Sequence, residues 1–404
     1  MGLNPLAERG IPLERQVRHW SDLNVTPYNP RDVDPGTRAR ILTMQGIETD
    51  AIGCSHQVAR QTDHLPTKHL LAMLRRVEQQ QQKAVNWLIP GDEGQLELTI
   101  GHEQAAVDLT ACLARQEPDP YLKQAFDFSL VEHVDQLYRF ANLYQLLTGG
   151  SAAAITGDRT EVMPGRPTVD AHRHPHDNVR AHYDAHTVDP RSRLHVMTVL
   201  AGEQQILAFY MTLGNRFVEP LARGLYLEIA QIQEQHVTQG ESLLDPLESP
   251  LQQELFRHYN ECYLYWSWFQ QESDPRIKAL WDLHLHMEIE HVRLAGHLLL
   301  ETEGLDPAEI LPSELPAAIR IEPDKAYVRD CLATQLDLTA AGTQFVRAQA
   351  LPLNAPSRVY QRLVNSGGLI PSDEVIRALV AKQGHDYRHE TEGPHPIPFL
   401  RKAA

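Results

Sequence analysis

The sequence predicts an all-α protein organised around a four-helix bundle, and three observations carry that reading. Long stretches repeat apolar residues at helical spacing, while strand-like alternation is scarce. Breaks such as Asp34-Pro35, Asp245-Pro246 with Pro250, and Asp274-Pro275 punctuate those stretches. The connections between the later helices are short, which favours antiparallel neighbours.

Residues 1–34 read as irregular, with Pro5, Pro12, Pro27 and Pro30. Asp34 as N-cap and Pro35 as first helical residue start a helix running to about 60. Apolar-periodic segments follow near 66–89, 99–115 and 119–147, then an interruption at 149–190 with the breakers GG, PGRP and DPRS. Four long helices are expected at about 191–215, 218–243, 250–272 and 275–303, and shorter ones near 323–340, 356–365 and 372–383. The last stretch, HETEGPHPIPFLRKAA, reads as an arm. The expected organisation is thus an N-terminal helical region 1–148 (scaffold or degenerate bundle half), a His/Pro-rich insertion 149–190, a metal-binding bundle 191–303, and a C-terminal helical extension and arm 304–404.

Composition removes several function classes. A net charge of −16 without a Lys/Arg cluster argues against a general nucleic-acid binder. No run of about 18 apolar residues suggests a membrane span, and the first residues lack a signal-peptide core. The initial Met-Gly has Leu6 where a myristoylation signal usually has Ser or Thr. Cys54, Cys112, Cys262 and Cys331 are far apart with no CxxC pair, so a reducing, cytoplasmic location is expected.

Chemistry concentrates in the four later helices. In HLHMEIEHVRLAGHLL (284–299), His284, Glu288 and His291 are spaced i, i+4, i+7 and share one face. Glu290 and His286 lie about 100° and 200° around the helix from that stripe and are expected to face solvent. Glu203 is the one acid in VMTVLAGEQQILAFYMTL, and Glu261 is flanked by Tyr, Cys and Trp residues. Burying such an isolated carboxylate as an ion costs several kcal/mol unless it is paired or metal-bound. His236 follows Glu228 by about two turns. Carboxylates with one imidazole per cation make a hard, oxygen-rich donor set suited to iron or manganese. A single buried Glu or His is more often a satisfied core group; four elements in this order are harder to attribute to chance.

This order over residues 194–300 resembles the ferritin-like di-iron carboxylate superfamily. The resemblance implies Glu on the first helix, Glu-x-x-His on the second, Glu on the third and Glu-x-x-His on the fourth. Carried onto this chain, it gives Glu203, position 233 with His236, Glu261, and Glu288 with His291. His284, one turn before Glu288, resembles the extra histidine of the arylamine N-oxygenase branch and would be a seventh ligand. Position 233 departs from the pattern because it is Gln. Gln233 as a weak amide ligand, Glu228 reaching in, or a second cation site of lowered affinity are the ways to accommodate that.

The first half offers Glu78, Glu103 and Glu132 beside His102 and His133, which read as remnants of a second such bundle or as scaffold. A faint internal repeat pairs 74–88 with 199–213, and 128–144 with 259–272, as either a duplication or helices of like composition would. His172, His174 and His176 alternate in VDAHRHPHD. They read as a solvated loop, with a metal site or a substrate entrance as the alternatives.

The resemblance implies an oxidoreductase that holds two iron ions, with manganese as the alternative, and uses dioxygen or peroxide on a small organic substrate. The extra histidine tilts the expectation toward amine N-oxygenation; C-hydroxylation and desaturation stay open. An external electron donor is expected because no Gly-x-Gly-x-x-Gly or Gly-x-x-x-x-Gly-Lys-Ser/Thr fingerprint is present. A homo-oligomer is expected, with no nucleic-acid or membrane partner. Manganese-type peroxide dismutation on the same frame, or a non-catalytic metal-binding or assembly protein, are the competing readings.

Overall fold

Prolines and short polar caps set the helix starts. A proline at the first helical position sacrifices no hydrogen bond, because the first turn leaves its N–H groups unpaired. Asp34 accepts from Thr37 N–H before Pro35, and Asp274 from Arg276 N–H before Pro275. Ser249 and Gln252 close a reciprocal capping box around Pro250. At the far end of the 275–303 helix, Gly304 takes φ 72°, a left-handed stop that favours glycine.

The structure is a computed structural model that describes residues 2–157, 159, 160, 162, 172–388, 397 and 401. Its helices are α1 (Pro35–Gln61), α2 (Leu65–Trp87), α3 (Gln95–Gln116), α4 (Pro120–Thr148), α5 (Ala152–Thr156), α6 (Pro190–Leu213), α7 (Pro220–Ser242), α8 (Pro250–Gln271), α9 (Pro275–Glu303), α10 (Pro307–Ile310), α11 (Lys325–Gln335), α12 (Pro356–Val364) and α13 (Pro371–Gln383). The mostly helical expectation holds. The helix expected at 323–340 instead stops at Gln335, and a hairpin of β1 (Leu338–Ala341) and β2 (Gln344–Arg347) follows, with Thr339 opposite Val346. Gly342 at φ 54° makes its turn, and Thr339, Phe345 and Val346 are strand formers. Apart from residues 397 and 401, the expected arm lies outside the described residues, as does the PGRP breaker at 164–167. Among the described residues, no helix is long and apolar enough to cross a membrane.

The chain divides into two compact units. The first comprises residues 1–92, 183–205 and 244–320. In it α1 packs on α2 and α8, and α9 packs on α8 and α2, which closes a ring of four helices. Met44, Leu71, Leu74, Trp268, Trp281 and Val292 fill its interior. Burying one such side chain stabilises by about 1.5–3 kcal/mol. Gly46 of α1 lets the α6 backbone approach: a Cβ there would stand 3.2 Å from Ala201 O.

The second unit comprises residues 93–182, 206–243 and 321–404. Here α4 packs on α3, α7, α11 and α13. Phe140 packs tilted against Tyr210 and Tyr226, with ring centroids 5.2 and 4.8 Å away.

This division corrects the expected one. Residues 191–303 do not form one bundle: α8 and α9 join α1 and α2, whereas α7 joins α3 and α4. The N-terminal region 1–148 is likewise split between the units. Short turns fix each hairpin, but the buried face of a hairpin can be covered by any complementary hairpin, and periodicity does not encode which.

Candidate metal centre

Four helices of the first unit turn acid and imidazole groups inward. Glu48 comes from α1 and Glu78 with Gln81 from α2; Glu254, His258 and Glu261 come from α8, and Glu288 with His291 from α9. The spacings i, i+3 on α2, i, i+4, i+7 on α8 and i, i+3 on α9 each place a set on one face. None of these residues is more than 2% exposed.

His258 is at the centre. Its Nδ1 is 3.2 Å from Glu261 Oε2 and 3.0 Å from Glu288 Oε2. Its Nε2 is 3.6 Å from Glu78 Oε1 and 3.9 Å from Glu254 Oε1. His291 Nδ1 is 3.0 Å from Glu288 Oε1, and Gln81 donates to that same oxygen at 2.8 Å. Ligand atoms of Glu78, His258 and His291 lie within 4.8 Å of one another, as do those of His258, Glu261 and Glu288.

The electrostatics are those of a site short of positive charge. Both oxygens of Glu78 and of Glu254, one oxygen each of Glu48 and Glu261, and Nε2 of His258 form no hydrogen bond among the described residues. Orphaned buried acceptors are rare and call for an explanation. Burial, reinforced by Glu288, pushes the Glu48 and Glu261 carboxyls well above the usual carboxylate range. Burial brings Glu78 to about 7. Burial also works against the charge on Glu288, yet His291 and His258 hold its carboxyl well below that range. Arg257, which also senses Glu254 and Glu261, forms its ion pair with Asp50.

His284 is fully buried on the same unit but serves another group. Burial lowers it to about 3, so it is neutral at pH 7. Tyr265 donates its hydroxyl proton to Glu48, and His284 Nδ1 is 3.0 Å from the Tyr265 oxygen. The phenol's one proton is committed, so His284 is the donor in that contact. The histidine expected as a seventh ligand therefore donates from Nδ1 to Tyr265, a contact that leaves its Nε2 lone pair uncommitted.

The remaining expected ligands fall elsewhere. Glu203 is buried at the end of the α6 stretch that belongs to the first unit. Gln233, His236 and Glu228 belong to the second. There His236 Nε2 is 2.7 Å from Glu132, whose other partner is Arg173, and Glu228 accepts from Arg139 at 2.9 Å and from Ser372. Glu103 accepts from Tyr210 and is 3.7 Å from His133. Arg173 and Arg180, expected in a solvated loop, are each 2% exposed; His172 is buried and His176 exposed. Glu290, expected in solvent, is buried and bonded to Arg293, while His286 is exposed as expected.

Sequence reading missed Glu48, Gln81, Glu254 and His258 and left Glu78 as a remnant. Two signals were present: Glu78-x-x-Gln81 on α2, and His258-x-x-Glu261, the reverse of Glu-x-x-His, on α8. Compared with family models, curated proteins and solved structures, the chain matches none.

Proposed function

We propose that the first unit binds two divalent cations, iron in the first place and manganese as the alternative, and that the chain is an oxidoreductase using dioxygen on a small organic molecule. The observation that carries the reading is the buried set of Glu48, Glu78, Glu254, Glu261 and Glu288 with carboxylate oxygens left unbonded. Two divalent cations would offset four of those five charges. The donors are hard oxygens with two imidazoles, as iron or manganese prefers.

The frame keeps the ferritin-like logic with a different helix set. Glu48, Glu78, Glu261 and Glu288 would supply one carboxylate from each of four helices, and His291 the imidazole of a Glu-x-x-His pair. Gln81 stands where the second such imidazole is expected, and His258 on α8 would replace it. Bound cations of this kind supply activation of dioxygen. Inserting one oxygen atom into a substrate and reducing the other to water takes two electrons from an external donor. The chain's own part is to hold the charge: the buried carboxylates would fix the cations, and Tyr265 with His284 orients Glu48. His284 meets Tyr265 through Nδ1 and is not among the grouped ligand atoms above, so the substrate is proposed only as a small organic molecule.

Metal analysis of anaerobically purified protein tests this reading. We expect two iron or manganese ions per chain, retained by Glu290→Ala and lost from Glu78→Ala and Glu261→Ala. Loss from Glu290→Ala alone would overturn the ligand set. Oxygen uptake with an artificial electron donor separates the oxidase from a non-catalytic metal-binding protein, and catalase activity with manganese marks peroxide dismutation.

A further inference from the structure

We propose that Gln16 fixes the proton of His291 on Nε2 and thereby presents Nδ1 to the carboxylate cluster; its value to a bound cation rests on the metal reading above. Gln16 ends an N-terminal strap that lies along α9. The Ile11 N–H donates to His286 O at 2.8 Å. A Cβ on Gly10 would stand 2.4 Å from the backbone nitrogen of Glu290. No side chain fits that gap, so the strap can lie down only with glycine at position 10. A 3-10 turn at Leu13–Arg15 then delivers Gln16, 1% exposed, to His291.

The hydrogen bonds decide the amide's orientation. Nε2 of Gln16 donates to Ile11 O at 2.6 Å and to Met287 O at 3.3 Å, two oxygens that can only accept. Oε1 is left facing His291 Nε2 at 2.7 Å, and being an acceptor it requires a proton on that nitrogen. A neutral imidazole has one proton, so in the neutral ring that cation binding requires Nδ1 presents its lone pair, 3.0 Å from Glu288 Oε1. Nδ1 makes no hydrogen bond among the described residues. Two facing acceptors are the arrangement a cation completes. Glutamine suits position 16 because it accepts once and donates twice; ionised Glu cannot donate to the two carbonyls, and Met has no donor and accepts only weakly.

The experiment uses the full chain with ¹⁵N-labelled histidine, metal-free at pH 8, with His291 assigned through His291→Gln. Wild type should show Nε2 protonated and Nδ1 bare, and Gln16→Met and Gly10→Val should lose that preference. Co(II) titration against a chromophoric chelator should show affinity about 10–100-fold weaker in both variants, the usual cost of losing the group that orients a ligating histidine. His291 protonated on Nδ1 in wild type, or an unchanged ring and Co(II) affinity in Gln16→Met, overturns the role of Gln16. Glu78→Ala in the same titration reports separately on the metal reading. If wild type takes up no Co(II), that reading fails, and the nitrogen spectra still decide whether Gln16 sets the ring.

Discussion

Nδ1 of His258 lies 3.0 Å from Oε2 of Glu288, with both side chains fully buried, and the opposite nitrogen of the same ring faces Glu78. Side-chain hydrogen bonds to Glu261 and Glu288 outweigh burial and raise His258 well above the usual histidine range. Removing this imidazole leaves buried acids facing one another. We expect His258→Leu to destabilise the metal-free protein by about 3–5 kcal/mol, the usual cost of breaking a buried ion pair from one side. Urea denaturation in chelator measures it; a change under 1 kcal/mol would show that the ring is not holding the cluster together.

Cation binding should stabilise the fold. A ligand that binds only the native state adds about 2.7 kcal/mol at a hundredfold excess over its Kd. Calorimetry with Mn(II), and with Fe(II) under nitrogen, should raise the thermal midpoint by several degrees over the EDTA-treated protein, and Glu261→Ala should abolish the rise. An equal rise in Glu261→Ala places the binding elsewhere.

Glu132 provides a test in the second unit that needs no metal. Burial alone would raise its carboxyl; the Arg173 guanidinium and His236 reverse that and bring it to about 2 from an ordinary 4.5. The folded value is the lower one, so its stabilisation is complete above about pH 4.5 and fades as pH falls toward 2. The contribution is on the order of 3 kcal/mol. Between pH 6 and pH 3 the stability of Glu132→Gln should fall less steeply than that of wild type; parallel curves would remove Glu132 as the titrating group.

Glu272 joins three elements of the first unit. At the end of α8 it accepts from Thr37 at 2.8 Å, from Arg40 at 3.0 Å and from the Ser273 and Asp274 N–H groups. Glu272→Ala strands a buried guanidinium and should cost about 3–5 kcal/mol. Arg40→Met in the same background should recover part of that loss, and the double-mutant cycle reads the coupling.

Helix positions were legible because capping is local: Asp34-Pro35 and Asp274-Pro275 mark starts that the structure reproduces to the residue. The hairpin at 338–347 was missed because four-residue strands carry little periodicity. The pairing of hairpins was misread because α6 to α9 were taken as one bundle on sequence adjacency. A rhythm in the chain points past adjacency. Glu48 and Glu78, Glu103 and Glu132, Glu203 and Gln233, and Glu261 and Glu288 are 30, 29, 30 and 27 residues apart. Three positions further on stand Gln81, Asp135, His236 and His291. Four consecutive-helix pairs thus share one layout, and sequence alone cannot say which pairs combine. Gln16 was illegible for another reason: its partner is 275 positions away and nothing local marks it.

The ring formed by α1, α2, α8 and α9 carries a consequence for synthesis. Its two halves are separated by everything between Trp87 and Pro250. On a ribosome adding about 5–20 residues per second, the first hairpin waits roughly 10–40 s for its counterpart. Glu48 and Glu78 spend that interval in water, where their charge is inexpensive. The cluster is sealed only when the last long helix emerges, so any ion it holds is loaded late, by a chain that has already made α3, α4 and α7 of its second unit but not yet α11 to α13.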